Sequence, residues 1–183
     1  IHRSQKDRLK TSRVTDNLYL APNTLTQRME GPECSGIVKM DISHMKDGDI
    51  AGFSAFNGDA GVVKIVKDGK KVFVVADSQN VELTDKEKRV TKVDVTESYR
   101  QQLRKQKEIY FRIDANFLPG KDVADFYYST DGKDWVKVLE GYKMIFDYRR
   151  FFMGSKFAIF NYATKKTGGY VDIDWFNYSK SEK

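Results

Sequence analysis

The chain has 183 residues, 40% apolar and 13% aromatic, enough to fill the core of one domain, and sandwiches of this length commonly stay undivided. Its 32 basic and 26 acidic side chains give a net charge of +6, yet the two signs are interleaved as on a solvated surface. The densest basic stretch, Arg100 to Lys107, lacks the interleaved aromatics or groove-reading motif of a nucleic-acid binder, and no run approaches the about eighteen apolar residues of a membrane-spanning helix, so neither partner is expected.

The chain opens Ile1-His2-Arg3-Ser4, without an initiator Met, a signal-peptide core or a lipidation pattern, and reads as the cut edge of a longer protein. From there the dominant pattern is period-two alternation in short runs set apart by Gly, Asp and Asn, which is how half-buried strands are written. Strands are predicted at 17–20, 24–28, 35–42, 50–56, 62–67 and 71–76. Lys67-Asp68-Gly69-Lys70 lies between the last two and predicts a tight hairpin, because Asp-Gly accepts positive φ angles. The stretch 96–107 (TESYRQQLRKQK) places Tyr99 and Leu103 four apart, so a loop or a short helix is expected there. In 108–117, Ile109, Phe111, Ile113, Ala115 and Phe117 fall on one face, and Tyr110, Arg112, Asp114 and Asn116 on the other. Strands follow at 125–129 and 135–139, joined by a turn at 129–134, and then at 156–162 and 169–178. In the last of these Val171, Ile173 and Trp175 share a face, which predicts a core position for Trp175, with Asp172 and Asp174 opposite. About a dozen short strands without a long amphipathic helix predict an all-β jelly-roll sandwich of two antiparallel sheets, one domain over 1–183.

Three stretches, LYLAPNTLTQRMEGP (18–32), MKDGDIAGFSAFNGD (45–59) and KFAIFNYATKKTGGYVDIDWFNY (156–178), resemble the C-terminal concanavalin A-like domain of family 43 glycoside hydrolases, the β-xylosidases and α-L-arabinofuranosidases. The similarity runs in order from Leu9 to Tyr178. It implies a jelly roll appended to a five-bladed propeller that carries the catalytic carboxylates, so that this chain is a non-catalytic C-terminal part of a larger glycosidase. The Trp- and Asn-rich segment that opens such domains is absent ahead of Leu9, so either a trimmed first strand or a late start of the sequence is expected. The implied partners are the propeller of the same polypeptide and xylan or arabinose-containing oligosaccharides. The implied location is periplasmic or extracellular, although some members are cytoplasmic. In the resembled β-xylosidases, loops of this domain help to close the propeller pocket. The matching stretches are 56–61, with Phe56 and Asn57, and 77–80 (DSQN), which offers no aromatic.

Sugar recognition uses aromatic faces for the apolar side of a ring and amide, carboxylate or Arg groups for its hydroxyls. On the outward phases Gln27, Arg28, Tyr110, Arg112, Asp114, Tyr127 and Asn161 are the residues expected to line a concave sheet or a domain interface. An autonomous carbohydrate-binding module with a glycan site on that sheet is the second reading. Trp135 follows a hairpin turn and serves either as packing or as a sugar platform.

Asp172 and Asp174 stand about 6 to 7 Å apart on one strand, within the separation of glycosidase acids, but a solvent-facing strand supplies no apolar pocket to raise a pKa. The resemblance suggests structural calcium there, beside the reading of a solvated pair, and no other cofactor is expected. Lys46 to Asp49 reads as a turn. The lone Cys34 and the two histidines, His2 and His44, offer no internal disulfide, no metal cluster and no nucleophilic triad, so no catalytic residue is predicted.

Overall fold

Alternating side chains give each strand one apolar face, and sheets hide such faces by stacking. The computed structural model describes residues 6–84, 89–144 and 154–181, and within them twelve strands form two six-stranded antiparallel sheets. In chain order they are β1 (Asp7–Lys10), β2 (Thr24–Arg28), β3 (Glu33–Asp41), β4 (Asp49–Phe56), β5 (Ala60–Asp68), β6 (Lys71–Leu83), β7 (Val90–Leu103), β8 (Glu108–Asn116), β9 (Val123–Ser129), β10 (Val136–Lys143), β11 (Lys156–Ala163) and β12 (Tyr170–Lys180). The first sheet runs β1-β12-β3-β8-β9-β10 and the second β2-β11-β4-β5-β6-β7. The expected all-β architecture of two antiparallel sheets is the one found.

The two sheets share one core. Val38 and Met40 of β3, Ile109, Phe111 and Ile113 of β8 and Phe126 of β9 meet Phe53 of β4, Val63 and Ile65 of β5 and Phe157 of β11, all essentially without solvent contact. At one end of this core the rings of Phe53, Phe157 and Phe176 lie 5.5 to 6.2 Å apart, centroid to centroid. They close over Gly36, where an added Cβ would lie 2.8 Å from Phe53 Cζ and 3.1 Å from Phe176 Cε2. The backbone of β3 thus takes the room that a side chain would occupy.

Three expectations need correction. Residues 18–20 form a short 3-10 helix rather than a strand, because the Asn17 side chain accepts the Leu20 N–H and closes the turn locally. The 96–107 stretch is not a loop or helix: it belongs largely to β7, paired with β6 along its whole length. A spacing of four is even, so Tyr99 and Leu103 share a face in a strand as readily as on a helix turn, and both pack inward. Trp175 is not core. The register of β12 on β3 slips between Ile173 and Trp175, which inverts the alternation, leaving Trp175 37% exposed and turning Phe176 to the core in its place. The Asp68-Gly69 hairpin is as predicted, with Gly69 at φ +59°.

A strap connects the sheets at the N-terminal end. β1 pairs with β12 at the edge of the first sheet, and Thr11 then exchanges backbone bonds with Gly168 and Gly169. Val14 bridges to Ala163 of β11, and the Thr15 N–H donates to the Ala163 carbonyl. The Asn161 side chain donates to the Leu9 carbonyl at 2.8 Å. The strap then lays the 3-10 helix over the outer face of the second sheet, where Leu18 packs with Val62, Phe160 and Tyr162.

Gly36→Ala is expected to lower stability by about 1 to 3 kcal/mol through overpacking of the three phenylalanines, measured by urea denaturation. A second prediction concerns the turn before β10. Asp131 accepts the Asp134 and Lys133 N–H groups at 2.9 and 2.8 Å and the Ser129 hydroxyl, which hold its carboxyl down at about 2. A depressed folded-state pKa stabilises above the unfolded value of about 3.9 and is lost as pH falls towards the folded value. Asp131→Ala should therefore melt below the parent at neutral pH and converge with it near pH 2, as read from melting temperature against pH.

Candidate functional site: a cleft on the outer face of the second sheet

Most outward residues singled out from sequence gather on the first sheet. Strand register sets Arg112 of β8 beside Tyr127 of β9 and Asp114 beside Asp125. Arg112 Nε donates to Asp114 Oδ1 at 2.9 Å, and the Ser35 hydroxyl reaches the same oxygen at 2.6 Å. The guanidinium stands 5.4 Å from the Tyr127 ring centroid and 6.0 Å from that of Trp135. Tyr110 lies 6.0 Å from Trp175, with the Lys39 ammonium 5.7 Å from its ring. The cations of this face are also ion-paired: Lys39 to Glu108, Arg112 to Asp114 and Lys137 to Asp125. The Asp114 bond holds the Arg112 guanidinium above its ordinary pKa.

The other selected residues lie apart from this surface. Gln27 and Arg28 are exposed on β2, an edge of the second sheet. Phe56 ends β4 with its ring 6.4 Å from Tyr19, and Asn57 opens the turn that follows. Asn161 does not face outward: it is fully buried and turned between the sheets, in phase with Phe157 and Ile159. Both phases of β11 are covered, so apolarity could not reveal which was inner.

Asp172 and Asp174 do not fit calcium. Both oxygens of Asp172 are taken by Arg8, at 2.8 and 3.0 Å, and this bond holds its carboxyl below the usual range. Asp174 lies 2.9 Å from Lys6 and 3.4 Å from Lys39. Ammonium and guanidinium groups stand where a metal would need to be. His44 stacks on Tyr170 at 4.5 Å, with the Ser43 hydroxyl 3.1 Å from Nδ1. The nearby acid, Asp41, accepts the Ser43 hydroxyl rather than orienting the imidazole, which is the wrong order for a nucleophilic triad.

The cleft lies on the opposite side of the molecule and was not found from the sequence. Outward positions on a sheet are ordinarily wet, yet Ser54, Val62, Lys64, Asp77, Gln79, Phe160 and Tyr162 are all buried, because the strap roofs this face. Beside the roof remains an open cavity of about 430 Å³, within the range of small-ligand sites. Its floor is Ile50, Lys64, Gln79 and Tyr162. Asp16, Asn17 and Leu20 of the strap form one wall, and β7, from Val90 to Val93 and at Val95, forms the other.

A buried ion pair organises the floor. Lys64 Nζ lies 2.5 Å from Asp77 Oδ2, and Gln79 Nε2 donates to Asp77 Oδ1 at 2.9 Å. A Cβ at Gly52 would overlap the Val63 carbonyl and Lys64 Cα, so glycine is what lets β4 lie against β5 here. Burial, with Asp77 and Asp16 nearby, raises the Tyr162 hydroxyl far above its ordinary pKa, and it stays a neutral phenol at physiological pH. The DSQN stretch expected to be a loop is in fact inside β6. One sequence signal was available: Val62, Val63, Ile65 and Val66 occupy both phases around Lys64, as in a strand covered on both faces, where a lysine needs a buried partner.

Residues 2–179 match the family described as the beta xylosidase C-terminal concanavalin A-like domain. The chain belongs to that family. Among solved structures, a bifunctional GH43-CE protein of Bacteroides eggerthii is 36% identical with a TM-score of 0.84, covering 99% of this chain and 22% of that one. A GH43 glycoside hydrolase engineered to display both endo-xylanase and exo-arabinofuranosidase activity is 31% identical with a TM-score of 0.87, over 95% of this chain and 34% of that one. A beta-xylosidase of Formosa agariphila is 25% identical over 165 residues, which are 88% of this chain and 24% of that protein. As a beta xylosidase C-terminal domain, the chain thus spans about a quarter of the curated relative that it matches.

Lys64→Ala would leave the Asp77 carboxylate buried opposite no cation, and is expected to cost about 3 to 5 kcal/mol. Replacing both, with Lys64→Met and Asp77→Leu, should recover most of that loss. Denaturant midpoints of the single and double variants, compared at one pH, measure both.

Proposed function

We propose that the chain is a non-catalytic accessory domain of a family 43 glycosidase acting on xylan or arabinose-containing glycans, and that it packs on the catalytic unit of the same polypeptide. The observation that carries this reading is the carboxylate content of the cleft. Among the described residues only Asp16 lines it as an acid, and Asp77 beneath is fully engaged by Lys64 and Gln79. Glycoside hydrolysis requires two carboxyl groups about 5 to 10 Å apart across the substrate. Family membership supplies the context, since the two solved relatives above devote 78% and 66% of their length to other parts of the chain, the complements of 22% and 34%.

The mechanism on this reading is positional. An interdomain surface holds the turn carrying Phe56 and Asn57 at the rim of the neighbour's pocket, where it excludes water and blocks internal positions of a glycan chain. Phe56 suits this task because its ring is half-buried against Tyr19 and the apolar cluster beneath, and is thereby rigid. A periplasmic or extracellular location, where polysaccharide would be met, is part of the proposal.

The purified chain should hydrolyse neither nitrophenyl xyloside nor nitrophenyl arabinofuranoside, and turnover by it overturns the reading. In the polypeptide that joins it to its catalytic unit, Phe56→Ala should raise KM for xylo-oligosaccharides several-fold while leaving kcat on the small nitrophenyl substrate unchanged. Steady-state kinetics on both substrates separates a positional role from a general loss of folding.

A further inference from the structure

We propose that the cleft on the outer face of the second sheet is itself a binding site for a neutral sugar, sized for one or two rings. Among the described residues an anion finds no free cation on the floor, because Lys64 is spent on Asp77 at 2.5 Å, and it would meet Asp16 on the wall. A metal ion finds, among the described residues, a single carboxylate with ammonium groups at Lys64 and Lys92 beside it. A wholly apolar ligand would strip water from Asn17, Gln79 and Thr91 without replacing their bonds, at a cost that its contacts do not return.

A ring carrying hydroxyls suits the lining. Each hydroxyl both donates and accepts, which matches the capacity that remains on the amides of Asn17 and Gln79 once Asn17 has bonded Asp16 and the Leu20 N–H and Gln79 has bonded Asp77. Leu20 and Val95, 42% and 55% exposed at the rim, offer apolar surface to the carbon face of the ring, and Tyr162 closes the floor with an aromatic wall. A volume of about 430 Å³ falls at the lower end of small-ligand sites. Both edges of the cleft are pinned. The strap is held by the buried Asn161 bond to Leu9, and β7 by its pairing with β6, so little ordering remains to be done on binding.

The choice of pentose sugars as probes rests on the accessory-domain reading; the site does not. Calorimetry of the chain with xylobiose, arabinose and cellobiose should give at least one dissociation constant in the micromolar to millimolar range. Amide shifts in a nuclear magnetic resonance titration should concentrate on Gln79, Thr91 and Val93. Val95→Arg at the exposed rim should weaken binding at least about tenfold with an unchanged melting temperature, and Gln79→Ala should weaken it without altering the shifts at Tyr110. Binding of cellobiose but not of the pentose sugars supports the site and removes only the pentose preference. Shifts that map instead to Tyr110, Arg112 and Tyr127, or no binding by any of the three sugars, overturn the inference, while the accessory reading stands or falls on turnover alone.

Discussion

A single buried amide ties the parts of this domain together. Asn161 sits on the inner phase of β11 with no solvent contact, and its Nδ2 donates to the carbonyl of Leu9, where the chain leaves the first sheet. Backbone carbonyls buried without a partner are costly, so this bond fixes the point from which the strap must cross. Downstream, Thr11 and Thr15 bond the ends of β12 and β11. The short helix that follows can then reach only the outer face of the second sheet. The roof over Val62 and Phe160, and the wall containing Asp16 and Asn17, are consequences of that crossing. A polar side chain inside the sandwich therefore determines the shape of a surface outside it.

That surface explains an imbalance between the two sheets. The outer face of the first is wet, with half-buried rings and surface ion pairs of the kind that contribute little to stability. The outer face of the second is largely dry, and there an ion pair was placed where its desolvation is expensive. Lys64 and Asp77 are not an economical way to fill space. They are better understood as fixing the position of Gln79, because a carboxylate bonded on both oxygens leaves the amide one orientation. Rigid polar groups under a partly apolar rim are what small hydroxylated ligands need, whereas an interdomain contact alone would be served by apolar residues of the same volume.

The fold was legible in the sequence wherever one face of a strand is wet and the other dry. In β8 buried and half-buried residues alternate without a slip from Glu108 to Asn116, and the Asp-Gly hairpin declared itself through turn chemistry. Legibility failed where that contrast disappears. β7 is exposed on most of its positions, so it carries no alternation to detect. β11 is covered on both faces, and its phase could not be assigned, which misplaced Asn161. Trp175 was misassigned because a bulge changes phase without leaving a mark in the residue pattern. The ladder of Tyr110, Arg112, Asp114 and Tyr127 was foreseeable, being built within adjacent strands. The cleft was not, since its walls come from segments some seventy residues apart in the chain, Asn17 and Val93, and only the strap's crossing brings them together.

Among the described residues, the long pairing of β7 with β6 leaves the other side of β7 as an open margin of the second sheet. Unoccupied amide and carbonyl groups along such a margin are a template for recruiting further strands, from copies of the same molecule above all. The Lys92–Asp94 and Arg100–Glu97 pairs act as gatekeepers: a second copy laid along the margin would have to dehydrate them. The stretch whose spacing suggested a loop or a short helix thus supplies, at Glu97 and Arg100, part of the charged guard along the margin.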